Sequence, residues 1–499
     1  MRFSIIVLFY VLLLMGGNLS SYATAGKCRA VDPQRIGNQL QLFLDDELID
    51  EMQNVELKLH SPQRAEVAIK FDKPWEDSTL YDPVVIRDGS LYRMWYRANF
   101  NAPPYYTGYA ESPDGVNWTK PSVGLIEYQG STDNNLVWVG DHTEPGGGPT
   151  VLCVFKDDNP TAHANQLYKA TGLAYERGLQ GLVSPDGLHW RLLQDERVVP
   201  ATGEFDTHSI TFWDAPREQY VTYTRGFESE DGTEVLRVAP YLEKTSEMPI
   251  RRIRRTATKD FHKFPSPEMI EVTNHEETAD EHLYKNAATP YFRRPDILLM
   301  FPKRFVEHRK PNDDWPHTGI SDIVFMASRD GIRWDRRFGE AFLRPGLDPL
   351  NWHERAIEVG PGLVPTGSGE MSLYFVEHYR TDTVHIRRGV LRVDGIVSIH
   401  ATYEPGEVIT RPIIFAGRQL IVNFATSAAG SLRVEVLDKK NQPVSGFSLA
   451  DCPEHVGDEI ERVVQWNQGS DLRRLAGQPI RLRIVLKDAD LYSLKFSDP

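Results

Sequence analysis

Short runs of strand-favouring apolar residues, many alternating with polar ones, recur along most of the chain: Leu91 to Tyr96, Val151 to Phe155, Ser209 to Trp213, Tyr220 to Tyr223, Ile297 to Phe301 and Met371 to Phe375. A side-chain period of two over runs of this length predicts β-strands, and long amphipathic helical stretches are scarce. With 33 Pro and 37 Gly as punctuation between the runs, the pattern predicts an all-β chain.

Acidic turns repeat among these strands. Three copies read S-x-D-G-x-x-W: Ser112 to Trp118, Ser184 to Trp190 and Ser328 to Trp334. A degenerate copy runs from Thr258 through Asp260 to Phe264, and a weaker one is centred on Asp394 and Gly395. The aspartates at 114, 186, 260, 330 and 394 stand 72, 74, 70 and 64 residues apart, which is an internal repeat. Gly accepts a positive φ and the Asp side chain bonds its own backbone, so the unit predicts a hairpin turn capped by the following Trp. These aspartates are therefore read as structural. Five such units ending at Ile399 predict a five-bladed β-propeller, and Leu42 to Ile49 is a candidate for the strand that completes the last blade.

Beyond His400 the Trp-capped turns stop. Short strands such as Gln419 to Phe424, Ser431 to Val436 and Ile480 to Val485 follow at sandwich-like spacing. The predicted organisation is a leader over residues 1–25, a propeller over 26–400 and an accessory β-sandwich over 401–499. The leader rests on Met1 and Arg2, the apolar run from Ile5 to Met15, and small residues up to Ala25, the three parts of a secretory signal. That run is shorter than the roughly 20 residues a membrane span needs, so export without stable membrane insertion is expected.

Charge narrows the partners. Lys and Arg number 56 against 70 Asp and Glu, a formal charge of −14, which disfavours nucleic acid. Cys28, Cys153 and Cys452 are too few for a disulfide framework, and zinc-peptidase, Walker-type and dinucleotide-binding patterns are absent from the sequence. The run Arg251 to Arg255 reads as an alternating, solvated strand face.

The segment Tyr81 to Gly89, followed by Leu91 to Tyr96 and joined to the repeated turns, resembles the five-bladed β-propeller glycoside hydrolases that include families 32, 43 and 117. The carboxy-terminal sandwich is similar to the arrangement in family 32. The resemblance implies a carbohydrate substrate and two carboxyl groups in different protonation states, one neutral to protonate the leaving oxygen and one ionised to attack or to activate water. It places Asp82, ahead of an inner strand, as base or nucleophile. Asp206 is laid out the same way in the third repeat, as an orienting carboxylate, with His208 on the same strand face. Glu281 in the fourth repeat is the candidate acid, with Glu354 in reserve and Glu358 following it. Families 32 and 43 draw their carboxylates mainly from the first three blades, whereas the second repeat here offers only Asp141 and Glu144. Tyr81, Trp95, Tyr284 and Trp352 are candidates to stack on sugar rings, and Arg97, Arg225 and His208 to grip polar groups. No cofactor and no metal site are called for, although the resemblance allows a structural divalent cation in the axial channel. Two other functions fit the same pattern: a propeller that binds carbohydrate or protein without cleavage, and a glycoside phosphorylase, in which Arg97, Arg225 and Lys285 would converge beside one carboxyl group.

Overall fold

The computed structural model describes residues 32–79, 81–175, 178–200, 205, 207–235, 249–276 and 278–498, with Tyr81 described in its backbone alone. The leader and Asp206 lie outside the described residues.

The chain is all-β, a five-bladed propeller followed by a β-sandwich. Blade one is the antiparallel sheet Tyr81–Asp88, Leu91–Arg97, Tyr105–Ser112 and Leu136–Gly140. Blade two is Thr150–Lys156, Tyr168–Leu173, Leu179–Ser184 and Arg191–Val199. Blade three is Ile210–Asp214, Gln219–Glu228, Ile250–Thr258 and Glu268–Met269. Blade four runs Thr289–Tyr291, Arg294–Met300, Met326–Ser328 and Arg333–Asp335, with Glu271–Thr273 added in parallel at its edge. A three-stranded insert, His282–Lys285, Lys303–Val306 and Ile320–Ile323, extends this blade. Blade five is Glu358–Val359, Glu370–Glu377 and His385–Arg392, closed on its outer side by Gln63–Lys70.

The closing strand is thus Gln63–Lys70, with Ile69 opposite Ile386, and not Leu42 to Ile49. The reason lies in burial. An outermost strand is half exposed, so its apolar signal is weak, and Gln63, Arg64 and Glu66 all reach solvent. Leu42 to Leu44 carry a stronger signal because they are wedged between the two units: Leu42 and Leu44 pack into the core of blades four and five, and Phe43 into that of the sandwich. Gln41–Leu42, Ile49–Gln53 and Glu56–Leu59 pair with strands beyond residue 396, so the amino-terminal segment completes the second sheet. That sheet curls around its own core through two long strands, Gln419–Leu437 and Arg481–Ser497, paired antiparallel with a register shift between Thr426 and Ser431.

The repeated turns are built as their residue types require. In the three full copies Asp Oδ1 accepts the backbone N–H groups two and three residues on, at 2.8–2.9 Å. The Ser hydroxyl accepts the Gly N–H, and the Trp indole donates to the Gly carbonyl at 2.9–3.3 Å. The same carbonyls also receive a side chain from the preceding blade. Trp95 of blade one donates to Gly187 at 2.8 Å, Tyr223 of blade three to Gly331 at 2.7 Å, and Tyr374 of blade five to Gly115. The repeat is therefore an inter-blade latch, and the last of these three bonds spans the seam of the ring. The fifth turn differs: the Asp394 carboxylate takes Tyr291 and Arg293 from blade four and Ser493 from the sandwich, tying the two units together.

The turn aspartates carry a first prediction. Burial raises the Asp330 carboxyl, but the N–H groups of Arg333 and Ile332 and the Arg333 side chain outweigh it and hold the group at about 2. Asp330→Ala is expected to cost about 1 kcal/mol of stability, as loss of a comparable side-chain cap does. A folded pKa below the unfolded value means that the contribution is fully present above the unfolded value, near 4, and is lost as pH falls towards the folded one. Urea midpoints of wild type and variant should therefore differ at pH 7 and draw together at pH 3.

Candidate active site

The inner strands leave little room at the axis: a Cβ on Gly360 would lie 1.9 Å from the Pro83 carbonyl oxygen, so blades one and five approach there backbone to backbone. Asp82 opens the inner strand of blade one with a positive φ of 65°, an uncommon conformation for a residue with a side chain. It is buried, and four blades contribute to its surroundings. Lys285 of the insert hydrogen-bonds Oδ1, the Arg97 guanidinium lies 3.5 Å from Oδ2, and His208 Nδ1 lies 3.8 Å from Oδ1. The Asp82 backbone N–H donates to Glu358 of blade five at 3.2 Å. Lys285 also donates to Glu358 Oε1 at 2.7 Å, and Lys303 to Oε2 at 2.9 Å. The floor of the ring is thus two carboxylates bridged by one ammonium, with a second ammonium behind.

Electrostatics bears on the charge states of Asp82, Lys303 and His208. Burial raises Asp82, yet Lys285, Arg97 and His208 together hold its carboxyl well below the usual carboxylate range. Lys303 is pushed down to about 8, by burial first and by Lys285, with Glu358 opposing. His208 is lowered by burial and its Nε2 lies 3.1 Å from the Leu152 carbonyl, so the ring is neutral at pH 7.

Above the floor, the Tyr284 ring carries Arg225 at 4.3 Å and Arg251 at 4.7 Å from its centre, distances at which a cation is attracted to the ring face. Arg251, Arg252 and Arg254 are all buried, so the basic run is not a solvated strand face. The strand lies between blade neighbours, and both of its faces are covered. Arg251 donates to His282 Nδ1 at 2.9 Å, which leaves Nε2 carrying the imidazole proton. Burial and the Arg251, Arg252 and Arg225 charges push His282 down to about 3. The unfolded chain takes up a proton here near pH 6.5 and the folded chain does not, so stability falls as pH drops from 6.5 towards 3. His282→Gln should lose less stability than wild type between pH 7 and pH 5 in urea titrations.

The structure brings Asp82, Arg97 and His208 together on the floor, with Tyr284 and Arg225 beside it. Among the other candidates, none whose side chain is described lies there; the Tyr81 side chain and Asp206 are outside the described residues. Trp95 is fully buried, packed on Tyr109 and Tyr168, and its indole N–H is engaged by Gly187; it is core, not a sugar platform. Glu281 is paired with Arg304 at 3.1 Å and Arg336 at 2.5 Å, and these charges outweigh burial and lower its pKa. Such surroundings suit an ionised carboxylate and not a proton donor. Trp352 is 39% exposed and lines a cavity with Glu281. Glu354 is clamped by Arg355 and, at 2.6 Å, by Arg380, and Arg355 reaches the Tyr284 hydroxyl at 3.5 Å, so Glu354 positions that arginine. Glu358 and Lys303 complete the floor. Glu358 opens an inner strand just as Asp82 does, and that parallel could have found it; nothing in the sequence marks Lys303.

The donor set of the described residues at the axis does not fit a divalent cation. Among the described residues, the two carboxylates at the axis, Asp82 and Glu358, are already paired with Lys285 and Lys303, whose ammonium groups take the place of a metal. Among the described residues no group of three or more His, Cys, Asp or Glu side chains is arranged to hold a metal ion. No helix among them is long and apolar enough to cross a membrane.

No family model matches the chain. Over 141 residues it is 31% identical to Uncharacterized protein MT1551 and 30% identical to Uncharacterized protein Rv1502, both of Mycobacterium tuberculosis. That match covers 27% of this chain, and the chain spans about two fifths, 41%, of the length of these curated relatives. Among solved structures it is similar to a thermostable family-43 glycoside hydrolase, at 14% identity and TM-score 0.39 over 68% of this chain and 96% of that one. It is also similar to an N-acetylgalactosamine deacetylase from F. plautii in complex with blood group B trisaccharide, at 13% identity and TM-score 0.41 over 68% and 95%. A glycosyl hydrolase from Bacteroides ovatus gives 13% identity and TM-score 0.38 over 66% and 94%. Glycoside hydrolases thus stand among the structures the chain is similar to.

Proposed function

We propose that this protein is an exported glycosidase that binds a poly- or oligosaccharide over the floor of the propeller and cleaves a glycosidic bond there. The observation that carries the reading is the convergence of Asp82, Arg97, His208, Lys285 and Glu358 from four blades on one point of the axis. Asp82 is the ionised carboxylate of the reaction, facing the positive charge that develops on the sugar ring or holding the attacking water. Lys285 and Arg97 keep it charged and fixed in orientation. In this reading Asp206, two residues before His208 in the chain, supplies the proton to the leaving oxygen that Glu281, fixed in its arginine pairs, does not.

One observation favours a second reading, binding without cleavage: Lys285 bridges Asp82 and Glu358, so both carboxylates are engaged before any ligand arrives. Sugar release from a panel of polysaccharides and aryl glycosides separates the two. Release by wild type that is lost in Asp82→Asn and Asp206→Asn supports the glycosidase. No release from any member, with binding retained on a glycan array, supports the binding protein.

A further inference from the structure

A cavity of about 590 Å³, of the size that holds small ligands, opens between the insert of blade four and the loop leading to blade five. It is separate from the floor of the ring. Lys303 and Arg304 are neighbours on one strand and so point to opposite faces: Lys303 meets Glu358 at the axis, and Arg304 lines the cavity. The cavity therefore lies across the insert from Asp82 and shares none of the groups bonded to it.

Its lining has two parts. On one side stands Trp352, whose indole N–H is anchored on the Gly346 carbonyl at 2.7 Å. The ring is held in place by that bond while remaining 39% exposed. A large exposed apolar side chain held rigid at a cavity wall is a ready stacking platform. On the other side Arg304 forms a bidentate pair with Asp322, at 2.8 and 2.6 Å, and reaches Glu281 at 3.1 Å. A further Arg304 N–H goes to the Gly339 carbonyl at 3.0 Å, and Arg336 holds Glu281, so the fork is fixed, and what it presents to a ligand is chiefly carboxylate lone pairs that can accept from sugar hydroxyl groups. The charged lining is balanced, with Glu281, Asp322 and Glu340 against Arg304, Arg309 and Arg344. A charged ligand would gain nothing from such a lining and would lose its hydration, whereas an uncharged polyhydroxylated ring loses little.

We propose that this cavity is a second saccharide-binding site, taking a neutral sugar unit that stacks on Trp352 and hydrogen-bonds the Arg304, Glu281 and Asp322 fork. It shares with the function proposed above only that the ligand is carbohydrate, and it involves no chemical step. A chain held here and at the axis together would gain effective concentration at the floor without any new contact there.

The test is isothermal titration of the full chain with neutral hexasaccharides (gluco-, xylo-, manno- and galacto-configured) and with oligogalacturonate, on wild type and again on an Asp82→Asn background. The second background removes cleavage from the readout, so failure of the glycosidase reading leaves this measurement intact. At least one neutral oligosaccharide is expected to bind, with affinity lowered tenfold or more by Trp352→Ala and largely restored by Trp352→Phe. Oligogalacturonate is expected to bind no better in the presence than in the absence of Trp352. Absence of binding by every neutral member, equal binding by wild type and a folded Trp352→Ala, or a Trp352-dependent preference for oligogalacturonate would each overturn the proposal.

Discussion

If the proposed glycosidase activity holds, Asp82→Asn is expected to lower kcat/KM for glycoside cleavage by about a thousandfold or more, the scale on which loss of a group acting on the reacting atoms is felt, and to leave a folded protein. The substitution is nearly isosteric, and Glu358 keeps both of its ion pairs, with Lys285 and with Lys303. The pH profile sharpens the assignment. Asp82 is held below the usual carboxylate range, so it stays ionised through mild acid, and an acid limb of the profile above pH 4 must come from another group. Lys303, at about 8, loses its proton as pH rises through that value, and Glu358 then loses one of the cations holding it. The wild-type kcat/KM should accordingly decline above pH 8, and Lys303→Arg, whose charge persists far higher, should shift that limb upward. A profile flat to pH 10 in the wild type would remove Lys303 from the working site, and an Asp82→Asn variant of undiminished rate would remove Asp82.

The ring was legible because its repeated unit is local. Ser, Asp, Gly and Trp make the turn with contacts inside seven residues, so the spacing of the motif carries the blade count directly. The closing strand was not legible, since Gln63–Lys70 owes its place to a partner more than 300 residues away and its outer face is polar. The site followed the same division. Asp82 and His208 lie at the starts of inner strands, where position in the repeat dictates direction, and both reach the floor. Glu281 also precedes a strand, but that strand belongs to the insert and not to the inner rank of blade four, which begins at Thr289. One shift of element thus moved the carboxylate from the axis to the neighbouring cavity. Lys303 comes from the same insert, which no repeat announces. The aromatic candidates divided by packing: Trp95 and Trp352 are indistinguishable by residue type, and only the neighbouring blade decides that one is core and the other exposed.

Trp95→Ala is expected to cost about 3–5 kcal/mol of stability, the range for removing a fully buried large aromatic, with the activity of the molecules that remain folded unchanged. Two losses combine. The indole fills the space between Tyr109 and Tyr168, and its N–H is the bond from blade one to the turn of blade two. The fit is close on the turn side as well: Gly187 sits at φ +79°, and a Cβ there would come within 2.8 Å of the indole. Trp95→Phe keeps most of the volume and gives up the hydrogen bond, so its cost should fall well below that of the alanine variant. Tyr223→Phe, which removes only the hydroxyl donating to Gly331, isolates the latch at about 1 kcal/mol. Urea titrations of the three variants, read beside KM, decide what the indole is for. A graded loss of stability at constant KM assigns it to the joint between blades; a raised KM at constant stability would return it to the ligand and break the equivalence of the three latches.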